Sequence, residues 1–129
     1  MGIRSWIDAK AKIVHLEYRG EVAIDEFRTV IEAVFGDPAY RPGFGFLVDR
    51  RHTPPAQEGY VASAVEVAFQ NQPMLTGARW AVVVSNPASV KAARMGIEFA
   101  HRALVPQVVH VFEELEREED WLRLTADVG

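Results

Sequence analysis

The chain has 129 residues, 49% hydrophobic and 25% charged, the balance of one globular domain able to bury roughly two thirds of its unfolded surface. With 18 acidic against 14 basic side chains the formal charge is -4, which offers no general attraction to nucleic acid or to an anionic membrane. Cysteine is absent, so disulfides and thiolate chemistry are excluded. The chain also has no signal-like start and no run near the roughly 18 apolar residues of a membrane span, so one cytoplasmic domain over residues 1–129, without membrane insertion, is expected.

Ile3, Ser5 and Ile7 alternate with Arg4, Trp6 and Asp8, which predicts a short edge strand. The polar turn 8–12 leads into Ile13–Tyr18, where Val14, Leu16 and Tyr18 share one face and Ile13, His15 and Glu17 the other, so an antiparallel hairpin is expected. The period then changes. Ile24, Phe27, Ile31 and Val34 recur at helical spacing behind Asp25 and Glu26, which suit a helix start, with Asp25 able to cap. Gly36-Asp37-Pro38 stops this helix. Phe44–Asp49 is short and uniformly apolar, the pattern of a strand covered on both faces.

After Pro54-Pro55, residues 57–72 place Val61, Ala64, Val65, Ala68 and Phe69 on one side of a second helix, bounded by Pro73 and Gly77. Arg79–Val84 reads as another buried strand. Pro87 to about Arg102 reads as a third helix whose wide apolar arc implies tight packing on the sheet, with Gly96 allowing close approach. Val108–Phe112 is the last strand, and Leu115–Leu124 a short acidic helix docking through Trp121 and Leu122. The fold class is therefore α/β: a mixed β-sheet with an opening antiparallel hairpin and covering helices, in the order β-β-α-β-α-β-α-β-α.

Loops that follow parallel strands meet along one edge of a sheet. That expectation gathers Asp49, Arg50, Arg51, His52 and Thr53 with Ser85, Asn86 and Ser89, next to Lys91 and Arg94 of the third helix, into a candidate contact edge. Two guanidiniums there suit a phosphate or carboxylate, because they offer forked donors. The plainer reading has Asp49 paired with an arginine and Ser85–Ser89 as a turn and helix start capped by Asn or Ser. Lys91, Arg94, His101 and Arg102 form the solvated face of the third helix or meet the acidic segment 113–120. His52 with Ser85 is the best hydrolase set, but no nucleophile-elbow motif accompanies it. The four histidines lack ligand spacing, and the glycines precede a strand instead of opening a helix, so neither metal nor nucleotide cofactor is expected. His15 and His110 read as structural, and periodicity alone does not separate interface from core for Trp6, Tyr60 and Trp80.

The order of elements resembles the STAS fold, and more specifically the SpoIIAA-like (STAS/SEC14) group of small bacterial proteins. The resemblance rests on the hairpin, Asp25-Glu26-Phe27, Phe46-Leu47-Val48-Asp49-Arg50-Arg51, Trp80–Val84, Val111-Phe112 and Trp121-Leu122. It implies a regulatory or protein-interaction module, or a binder of small ligands, in place of an enzyme. In the phosphorylated antagonists of this fold an Asp-Ser or Asp-Thr pair carries the switch. Here Arg50 follows Asp49 and the nearest hydroxyl is Thr53, so a kinase-driven switch is not expected. The leading expectation is a non-catalytic interaction module, with a protein partner or a homodimer. The alternative is a carrier of a small anionic or amphipathic ligand held between helix and sheet, with Arg50 or Arg51 at its polar end. A small hydrolase is the weakest of the three.

Overall fold

A computed structural model describes residues 2–102, 108–112 and 121–122. β1 (Gly2–Asp8) pairs antiparallel with β2 (Ile13–Arg19) in unbroken register, Gly2 opposite Arg19 and Asp8 opposite Ile13. Asp8 Oδ1 accepts the Ala11 amide at 3.0 Å, and Lys12 takes φ 61°, which together close the turn. β3 (Gly45–His52), β4 (Arg79–Val83) and β5 (Val108–Phe112) then add in parallel, giving the sheet order β1-β2-β3-β4-β5. The mixed sheet is the one the element order predicts.

Each crossover shifts the chain by one strand in the same direction. With the usual right-handed connection, α1 (Ile24–Phe35), α2 (Glu58–Gln70) and α3 (Pro87–Arg102) all fall on one face of the sheet. Val14, Leu16, Tyr18, Phe46, Val48 and Trp80 line that face and form the main core with Phe27 and Ile31 of α1 and Val67 of α2. On the other face Ile13, Leu47 and Ala81 lie under Leu122, which is fully buried. Trp121 stacks on His110 with ring centroids 4.3 Å apart. The two predicted docking residues therefore dock; the rest of the expected helix 115–124 and the acidic segment 113–120 lie outside the described residues. Gly45 makes this seat possible, since a Cβ there would meet Leu122 Cδ2 at 2.8 Å. No helix among the described residues is long and apolar enough to cross a membrane.

Several expectations need correction. β3 runs to His52 instead of ending at Asp49, so Asp49–His52 is strand and its side chains alternate between faces. In α2, Phe69 is 52% exposed while Val67 is buried: the helix is apolar over so wide an arc that spacing does not single out its inner side. α1 has no side-chain cap at Ala23; instead of capping, Asp25 offers its carbonyl to Thr29, and Glu26 accepts the Ile3 amide. Gly96 brings α3 close to Val61 of α2, and a cavity separates part of α3 from the strands below it.

Candidate functional site

That loose packing is the central feature. Where α2 and α3 cross the sheet, several of the positions lining the space between them and the strands, beside the larger Val61, Val65 and Ile97, are small: Ala64 and Ala68 on α2, Ala92, Ala93 and Gly96 on α3. Such side chains do not span the gap to Val82 and Val109 on the strands below, and a cavity of about 170 Å³ remains, walled almost entirely by carbon. Its wall includes the indole of Trp80, which stacks on Phe46 at 4.2 Å and whose buried Nε1 has no acceptor among the described residues.

One end of the cavity is polar. Tyr18 on β2 and Tyr60 on α2 share a hydrogen bond between their hydroxyls, 2.8 Å long. The Arg50 guanidinium lies over both rings, 4.4 Å from the Tyr18 centroid and 5.5 Å from that of Tyr60, and donates to the Pro54 carbonyl at 3.4 Å. Burial raises both phenol pKa values above the ordinary 10.0, with the Arg50 charge only partly opposing it, so both hydroxyls keep their protons at neutral pH. Among the described residues no carboxylate forms an ion pair with Arg50. Beyond this trio lies an outer cleft of about 690 Å³, between the β2–α1 and β3–α2 connections, bordered by Glu21, Thr53, Gln57, Gly59 and Ser63. Arg50, Ala56 and Tyr60 border both spaces and form the neck between them.

The contact edge expected from sequence is divided by the strand period. Arg50 lies on the helix side of β3, whereas Asp49 and Arg51 point to the other side and bind each other: Arg51 Nε and Nη2 donate to the two Asp49 oxygens at 2.9 and 2.8 Å, and the Arg51 amide adds a bond of 3.1 Å. Burial would raise the Asp49 pKa, but these bonds and the Arg51 charge outweigh it and hold the carboxyl below its ordinary 3.8. For Arg51 the plainer reading, a paired arginine, is the one seen.

The two loops do meet, since Ser85 Oγ donates to the Arg51 carbonyl at 3.2 Å. Asn86 Oδ1 accepts the Ser89 amide at 2.9 Å, ahead of Pro87 at the first position of α3, which is the capping arrangement expected. Thr53 is buried, and its hydroxyl donates to the Gly20 carbonyl, where Gly20 at φ 65° donates its own amide to His52. Thr53 thus ties two loops together. His52, Lys91 and Arg94 are exposed. His52 makes no hydrogen bond to Ser85 among the described residues, so the hydrolase set lacks its nucleophile–base contact. Of the candidates, Arg50 and Ser89 reach the cavity, and Arg50 and Thr53 the outer cleft.

Sequence reasoning missed Tyr18 as a site residue and weighed Tyr60 only as an interface or core aromatic. The signal for Tyr18 was present: it extends the Val14-Leu16 face of a strand adjacent to the arginine-bearing one. For Tyr60 there was none, because its partner is 42 residues away in sequence. His15 and His110 are held by stacking, His15 on Trp6 at 4.7 Å and His110 on Trp121; Trp6 is 41% exposed, whereas Tyr60 and Trp80 belong to the core and cavity wall.

Comparison with known proteins finds no matching family model and no matching curated protein. Among solved structures, the chain is similar to a protein of Shewanella loihica PV-4, described as an uncharacterized protein from the DUF3478 family with a SpoIIAA-like fold. The TM-score is 0.66 at 14% identity, over 94% of both chains. At that identity the likeness is one of fold, and the fold is SpoIIAA-like.

Proposed function

We propose that the protein is a non-catalytic binding module that holds a small ligand between its helix layer and its sheet. The cavity beneath α2 and α3 carries this reading. Interiors normally close to the density of organic crystals, whereas here an apolar space of about 170 Å³, open on one side, is left between helices and sheet. Its size is close to that of a cavity of about 150 Å³ known to hold a benzene ring. A ligand that fills it recovers contacts the side chains leave unmade, so occupancy and folding are linked.

The contact-edge reading draws less support. Asp49 and Arg51 satisfy each other, Thr53 and Ser85 satisfy carbonyls of their own chain, and Arg50 faces inward. A partner protein or a second copy at the exposed His52, Lys91 and Arg94 is compatible with ligand binding.

Small neutral compounds with a ring or short chain, such as benzyl alcohol or hexanol, should raise the melting temperature in a dose-dependent way. Ala93→Leu, which extends a side chain into the cavity, should reduce that shift at least by half. Native mass spectrometry of the purified protein should show a bound small molecule. No thermal response to any such compound, together with a mass equal to that of the bare chain, would rule the reading out.

A further inference from the structure

The cavity and the outer cleft meet at Arg50, and this juncture defines the class of ligand. Resting on the binding reading above, we propose that the site takes a monocarboxylate with a compact apolar body, of about six carbons or one aromatic ring. The body lies inward among Ala93, Gly96 and Val82, and the carboxylate lies at the neck against Arg50 and the Tyr18–Tyr60 pair.

Three observations lead there. The inner wall is mostly carbon, with Ser89 and the Trp80 indole N–H as its polar groups, so it favours an apolar body over a strongly polar one whose hydrogen bonds it does not replace. The guanidinium at the neck is half-buried and stacked on two rings, which fixes its orientation, and among the described residues it lacks a counter-ion. A carboxylate matches its forked donors. The two hydroxyls hold two protons, and their mutual hydrogen bond uses one. The other O–H remains a donor, kept protonated by burial, and fits the second lone-pair direction of a bound carboxylate.

The charge balance favours one negative charge over two. Among the described residues Arg50 is the single cationic side chain bordering the neck, Glu21 borders the outer cleft, and Glu26 lies close enough to Tyr60 to raise its pKa. A phosphate dianion there would face two carboxylates with one cation.

Calorimetric titration of matched pairs tests this in the wild-type chain, without relying on any variant: hexanoate against hexanol, phenylacetate against 2-phenylethanol, and hexyl phosphate as a third arm. The acid should bind at least about tenfold tighter than its alcohol, the range of a hydrogen bond to a charged group, and tighter than the phosphate. Arg50→Gln should bring acid and alcohol to within about threefold of each other, and Tyr60→Phe should weaken the acid by about two- to fivefold. In an amide spectrum the body should shift Gly96 and the head group the Arg50 Nε–H. Alcohols that bind as well as their acids, a preference that survives Arg50→Gln, or a tighter phosphate would each overturn the assignment while leaving the binding reading intact. If neither member of any pair binds, the binding reading itself has failed.

Discussion

Two sides of one strand carry opposite solutions to the same problem. On the outer side of β3, Leu47 is sealed by Leu122 and Asp49 is neutralised by Arg51, so charge and apolar surface are both satisfied within the chain. On the inner side Val48 faces a cavity and Arg50 stands at its mouth without an ion-pair partner among the described residues. Neighbouring residues of one sequence thus end in a closed contact on one side and at an open cavity on the other. The difference is one of partners: Arg51 is held by a carboxylate, whereas Arg50 is held by two aromatic rings and a carbonyl.

The contrast can be broken most forcefully at Leu122. Leu122→Ala should cost about 3 kcal/mol in urea unfolding, as for other fully buried leucines. A loss below about 1 kcal/mol would show that the outer face is not sealed by this residue.

Asp49→Asn should cost about 1–2 kcal/mol at neutral pH, because it replaces the buried carboxylate that both Nε and Nη2 of Arg51 bond. The pH dependence has a definite sign. The folded-state pKa of Asp49 lies below its ordinary 3.8, so its contribution is present above that value and is lost as pH falls through the folded-state pKa. The gap between wild type and Asp49→Asn should therefore narrow on going from about pH 6 to below pH 4. A constant gap would mean that the pair contributes nothing specific to the ionised state.

The smallest effect belongs to the inner face. Ala93→Leu should be neutral or stabilise the unliganded chain by up to about 1 kcal/mol, since it fills space instead of displacing neighbours. Destabilisation by more than about 1 kcal/mol would mean that the helices already pack to normal density there.

Much of the fold was legible in the chain itself. The hairpin, the three helices and the parallel strands follow from local periods of two and 3.6 residues, and Pro38, Pro54 and Pro87 punctuate them where regular structure stops or starts. Docking by Trp121 and Leu122 was legible too, as two bulky residues in an otherwise acidic stretch. The site was legible only in part. Arg50 was identified, but the sequence grouped it with Asp49, Arg51 and His52 because β3 was expected to end three residues early, and a loop carries no alternation of faces.

The amino-acid order by itself determined which segments are helix and strand, and that they form a mixed α/β sheet, because those properties depend on spacings of a few residues. Only the tertiary structure decided that Arg50 turns inward while Asp49 and Arg51 turn outward, and that Tyr60 comes from 42 residues away to meet Tyr18. It also decided that the small side chains of α2 and α3 leave a space instead of closing on the sheet. A cavity is a difference between the volume enclosed and the volume filled, and the enclosed volume is set by how whole elements sit against one another.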